Sequence, residues 1–184
     1  MAISDIDMFD TQGWQADAQH IPSPNCDDRP DNTPIKLIVI HNISLPPGVF
    51  DGDAVIQLFT NQLDWDAHPY YQGIRGIKVS AHFLIRRDGR LIQFVPCVQR
   101  AWHAGVSSWQ GHERCNDFSI GIELEGTDEA PFTDAQYDTL LPLLQQLKQT
   151  YPIQDIVGHS DIAPGRKTDP GPYFDWSRLN GTTA

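Results

Sequence analysis

Two histidines and an aspartate, His41, His159 and Asp169, are the residues whose types and settings suit a shared metal ion. His41 follows an apolar run, His159 follows a shorter one, and Asp169 lies in a loop dense in proline and glycine. A strand end is a rigid platform for a ligand, because the sheet ladder fixes its backbone. Two imidazoles and one carboxylate make a three-ligand zinc site with a fourth position left for water. Zinc lowers the pKa of such a water to about 7 and polarises an amide carbonyl. Taken singly, each histidine is better explained as a hydrogen-bonding cap on its strand. Spacing alone is a weak signal.

The segment from His159 to Pro172 strengthens it. Lys167 stands just before Asp169 in a loop stiffened by Pro164, Pro170 and Pro172. An ammonium held there can stabilise the oxyanion of an acyl-transfer intermediate. The alternative is a surface ion pair worth roughly 0–1 kcal/mol. A general base is also needed, to take a proton from water and pass it to a leaving amine. Glu123 is the candidate, with Gly121 leaving space on the same strand face. Glu125 shares that face, and the pattern does not choose between them.

The elements that must position these groups read as an α/β domain with a mixed central sheet flanked by helices. Ile35 to Ile40 is an apolar, β-branched run suited to a strand covered on both faces. Residues 53–61 carry apolar positions at helical spacing. Two strands, 81–86 and 91–95, flank Asp88-Gly89, a pair suited to a type I′ hairpin turn. From Phe118 to Glu125 the residues alternate, with Phe118, Ile120, Ile122 and Leu124 opposite Ser119, Gly121, Glu123 and Glu125. Thr133 and Gln136 predict a capping box. The helix after it puts Tyr137, Leu140, Leu141, Leu144 and Leu147 on its core side and is kinked by Pro142. A strand at 155–158 leads into His159.

The 184 residues form one domain, with 1–34 as an extended N-terminal wrap whose 20–34 stretch holds four prolines. The composition is 40% hydrophobic and 20% charged, with no apolar run long enough to span a membrane. The acidic N-terminus lacks the apolar core of a signal peptide. Three scattered cysteines, Cys26, Cys97 and Cys115, suggest neither a disulfide framework nor a thiolate metal site. Those features place the chain in the cytosol. A formal charge of −11 argues against a nucleic-acid partner, but not against a small acidic substrate met by a few local cations. Oligomeric state is not legible.

Five stretches together resemble the AmpD family of zinc-dependent N-acetylmuramoyl-L-alanine amidases, across nearly the whole chain. They are His41 to Gly48, Val79 to Gly89, Trp102 to Val106, Cys115 to Asp128 and His159 to Pro172. The resemblance implies a cytoplasmic hydrolase of peptidoglycan recycling that cuts the lactyl amide between 1,6-anhydro-N-acetylmuramic acid and L-alanine. It implies one zinc per chain on His41, His159 and Asp169, with Glu123 and Lys167 catalytic, settling the choice against Glu125. Asn42, Lys78 and Arg114 fall at the family's substrate contacts. Lys78 stands where an arginine can occur, and lysine loses bidentate carboxylate binding. Other readings of the same chain are an amidase of intact peptidoglycan and a non-catalytic muropeptide-binding module. The second is disfavoured because every ligand, Glu123 and Lys167 are present.

The remaining candidates carry plainer expectations. His82 reads as a hydrogen-bonded core residue. Trp102 and His103 can line a sugar groove, although a tryptophan is more often core. His68 reads as loop chemistry, His112 receives no role, and Cys115 reads as a small buried residue.

Overall fold

The computed structural model describes residues 8–182. The expectations that fall on residues 1–7, an N-terminus without the apolar core of a signal peptide and the start of the extended wrap, lie outside the described residues.

The chain opens with two short strands, β1 (Gln19–His20) and β2 (Cys26–Asp28), then β3 (Leu37–Ile43). Two short helices follow, α1 (Ala54–Phe59) and α2 (Pro69–Gln72). Next come β4 (Phe83–Ile85), β5 (Leu91–Gln93) and β6 (Gln99–Ala101), then the small pair β7 (Ser108–Trp109) and β8 (His112–Glu113). After them run β9 (Ser119–Glu125), α3 (Asp134–Thr150), β10 (Asp155–Gly158) and α4 (His159–Ile162). The main sheet runs β1-β5-β4-β9-β3-β10. β4 and β5 are antiparallel and its other pairs are parallel, so the sheet is mixed as expected.

Alternation divides the buried side chains between the two faces. Ile38, Ile40, Ile120, Ile122 and Leu124 join a core with Leu140, Leu144 and Leu147 of α3. Leu37 and Val39 pack with Val157 and Ile162 on the opposite side. Each such side chain contributes about 1.5–3 kcal/mol when fully buried. β3 pairs in register with β9, and His41 stands directly opposite Glu123. Because Ile40 and Ile122 face α3, the side chains of His41 and Glu123 emerge together on the far face. β10 ends at Gly158, paired with Ile40, and His159 follows as the first residue of α4. Three adjacent strands thus deliver His159, His41 and Glu123 abreast.

Several boundaries differ from expectation. β3 continues to Ile43, so His41 lies within the strand, held by ladder pairing that runs to Glu125. The capping box at Thr133 and Gln136 is present. The buried side of α3 includes Leu143, whereas Leu141 is only half-buried. The helix is continuous past Pro142, whose side is exposed. The hairpin turn is not type I′. Among its residues only Gly89 has a positive φ, with the Gly89 N–H donating to Arg86 O at 2.8 Å. A type I turn closing in a glycine bulge fits that geometry. Gly89 also abuts α3, where an added Cβ would meet the Ala135 carbonyl at 2.7 Å.

Candidate metal centre and catalytic groove

The Nδ1 atoms of His41 and His159 stand 3.0 Å apart. Asp169 Oδ2 lies 3.0 Å from the first and 3.2 Å from the second. The outer ring nitrogens have partners of their own. His159 Nε2 faces the Ala104 carbonyl at 3.0 Å, which can only accept, so that nitrogen carries the proton. His41 Nε2 faces His103 Nδ1 at 2.9 Å, and His103 Nε2 faces Ser119 Oγ at 3.1 Å. Burial holds His41 below its ordinary pKa despite Asp169 beside it, and burial with the neighbouring His41 holds His103 well below. His41 Nε2 faces a ring nitrogen able to accept its proton, and in that tautomer two imidazole lone pairs and a carboxylate oxygen converge on one point. A cation would complete that donor set, and its N/O composition fits zinc.

Burial alone would raise the Asp169 carboxyl, but the close approach of His159 and His41 holds it well below the carboxylate range. Asp169 is therefore ionised, as a metal ligand must be. Glu123 is the opposite case. Burial, then the charge of Asp169, pushes it well above the ordinary value, with Lys167 pulling the other way. Its Oε2 is buried and has no hydrogen-bond partner in the structure. An orphaned buried oxygen costs about 1–3 kcal/mol and calls for an explanation, such as a catalytic role.

These groups line one open groove of about 820 Å³, together with Lys167, Asn42 and Trp102. The Lys167 side chain is exposed at the groove wall. Trp102 is half-buried, and its indole N–H donates to Asp27 at 3.2 Å. Asn42 Nδ2 donates to Asp128 Oδ1 at 2.7 Å and to the Pro170 carbonyl at 3.0 Å. His103 is on the floor with both ring nitrogens engaged, which leaves a substrate only its ring face.

Two expected substrate contacts stand outside this wall. Lys78 is exposed beside the groove residues Val79 and Ser80, without lining the cavity itself. Arg114 has a positive φ, pairs with Asp117 at 3.4 Å, and lines a neighbouring open cavity with Val106 and Arg166. Asp128 is a residue that sequence reasoning missed. Its carboxylate accepts from both Asn42 and Thr168, tying β3 to the loop that carries Asp169. It lay inside a quoted stretch, but nothing local marks a partner 86 positions away.

His82 is the hydrogen-bonded core residue expected. It is fully buried, accepting the Gly121 N–H at 3.1 Å on Nδ1 and donating to the Gln99 carbonyl at 3.0 Å. His68 caps α2 by accepting the Tyr70 N–H. Cys115 is buried.

The N-acetylmuramoyl-L-alanine amidase family matches residues 31–172. The 1,6-anhydro-N-acetylmuramyl-L-alanine amidase AmpD of Enterobacter cloacae is 59% identical over 170 residues, 91% of each chain. A crystal structure of an AmpD selenomethionine derivative superposes with a TM-score of 0.92 at 56% identity, covering 96% of this chain and 99% of that one. The Escherichia coli amidase AmiD, solved with anhydro-N-acetylmuramic acid-L-Ala-D-γ-Glu-L-Lys, gives 0.61 at 32% identity. That match covers 95% of this chain and 65% of AmiD.

Proposed function

The chain belongs to the N-acetylmuramoyl-L-alanine amidase family, and we propose that His41, His159 and Asp169 hold the zinc ion on which its activity depends. It is an amidase of cell-wall recycling, cleaving the lactyl amide between 1,6-anhydro-N-acetylmuramic acid and L-alanine. The observation that carries the zinc reading is the convergence of three acceptor atoms beside the unpartnered Glu123 Oε2 in one groove.

Bound zinc supplies a Lewis acid that polarises the scissile carbonyl and acidifies water. Glu123 takes the proton of the attacking water on its free oxygen and returns it to the departing L-alanine nitrogen. Burial and the Asp169 charge raise its pKa, which favours holding the proton between the two halves of that transfer. Lys167 places positive charge at the groove wall, where the carbonyl oxygen becomes an oxyanion. Asn42 has both of its donated hydrogen bonds committed to the protein, so it meets the substrate with its carbonyl oxygen and accepts an N–H. Trp102 offers an aromatic wall to the sugar. Lys78 and Arg114, set outside the wall, serve acidic groups further along the stem peptide.

Small anhydromuropeptides are the proposed substrates, and the cytosol is the proposed compartment. Three free cysteines, two of them buried, suit reducing conditions. No helix among the described residues is long and apolar enough to cross a membrane.

The test uses zinc-loaded protein with anhydro-N-acetylmuramyl-tripeptide, followed by mass spectrometry. Release of intact tripeptide is expected. Clearing of purified sacculi without cleavage of the soluble fragment would instead identify an enzyme of intact peptidoglycan.

A further inference from the structure

We propose that His103 is a positioning residue: it accepts the Nε2 proton of His41 and so fixes the tautomer whose Nδ1 faces the metal. This inference rests on the zinc reading above and assigns His103 to the ligand shell behind the metal, not to the substrate.

The geometry leaves the His103 ring little freedom. Its Nδ1 is 2.9 Å from His41 Nε2 and its Nε2 is 3.1 Å from Ser119 Oγ, with the residue only 9% exposed. It sits flat against Gly121, where an added Cβ would come within 2.4 Å of the ring. The His82 ring stands edge-on to it at 5.9 Å. On the backbone side, Asn116 Oδ1 accepts the N–H of His103 at 3.1 Å and that of Ala104 at 2.8 Å.

Ala104 completes the device. Its carbonyl accepts from His159 Nε2, so two adjacent residues supply the outer acceptors for both ligand imidazoles. Arg166 also donates to that carbonyl, at 2.7 Å, which ties it to the loop carrying Asp169. An imidazole whose outer N–H is held by an acceptor has its orientation and tautomer set before a metal arrives, and its basicity rises. The same face of β9 performs three tasks in order. Ser119 holds His103, Gly121 seats its ring, and Glu123 stands beside His41.

The experiment measures zinc affinity by competition with a chromogenic chelator for wild type, His103→Leu, His103→Asn and Ser119→Ala. Thermal midpoints of the zinc-free proteins identify variants that have failed to fold. Loss of the acceptor in His103→Leu should weaken zinc binding roughly 10- to 100-fold. His103→Asn restores an oxygen near the position of Nδ1 and should recover most of that loss. Should His103→Leu not fold, Ser119→Ala carries the test, with affinity expected to fall several-fold. Wild-type affinity in a folded His103→Leu, or no recovery in a folded His103→Asn, overturns the inference while leaving the zinc site intact. Unchanged affinity in Ser119→Ala does the same if His103→Leu is unfolded. Wild-type protein that takes up no zinc overturns the zinc reading and this inference together.

Discussion

Glu123 and Glu125 project from one face of β9, yet Glu125 is fully partnered while Glu123 keeps a buried oxygen free. Glu125 accepts the Arg87 N–H at 3.0 Å and pairs with the buried Arg86 guanidinium at 3.3 Å. Glu123 instead faces the groove beside His41. Two carboxylates that alternation cannot separate are separated by what surrounds them.

Glu123→Gln should therefore lower turnover by about 10²–10⁴-fold, the range for losing a general acid–base group, with zinc content unchanged. Glu125→Gln should spare turnover and cost roughly 1–3 kcal/mol of stability, since it leaves the buried Arg86 charge poorly matched. Steady-state rates, metal analysis and urea unfolding on both variants check the pair. Full activity in Glu123→Gln would remove it from the chemistry.

Chelation should abolish activity and lower Tm, and added zinc should restore both. A ligand that binds only the folded chain stabilises it by about 2.7 kcal/mol at a hundredfold excess over its Kd. Calorimetry with and without chelator reads the shift. An unchanged Tm would mean that no metal couples to folding.

Acid should weaken the fold through His82. Burial, with the Arg29 charge adding to it, lowers this imidazole to about 3, while an unfolded histidine titrates near 6.5. Between those values the unfolded chain binds the extra proton, so stability falls as pH drops from about 6.5 towards 3. The slope from this one group reaches about 1.4 kcal/mol per pH unit. His82→Asn, which keeps an acceptor for the Gly121 N–H, should show a shallower decline by up to that amount. Unfolding free energies at pH 7, 6 and 5 compare the two, and parallel lines would exclude His82 as the source.

Asp128→Ala should release both Asn42 and Thr168. We expect a loss of about 1–3 kcal/mol in stability and about tenfold in kcat/KM, equal to ~1.4 kcal/mol of transition-state binding. Kinetic constants together with unfolding curves test this. Wild-type kinetics would show that Asn42 needs no clamp.

Local periodicity carried much of the fold. The alternation from 118 to 125 was enough to place Ser119, Gly121 and Glu123 on one face, and Thr133 with Gln136 announced the start of α3. The hairpin turn differs because Asp88-Gly89 suits two turn types, and the strand pairing around it decides between them. His103 reads as a groove residue in the sequence because its partners, His41 and Ser119, are brought to it by sheet register and loop closure. Arg114 and Lys78 carry the right charge, but whether a side chain reaches a groove depends on loop geometry that no spacing encodes.

The most direct test titrates zinc into chelated protein and follows release of tripeptide from anhydro-N-acetylmuramyl-tripeptide, alongside bound zinc per chain. The account predicts a rate that rises in proportion to occupancy and saturates at one zinc, with Asp169→Ala both metal-poor and inactive. A zinc-free sample that cleaves at the full rate would contradict it.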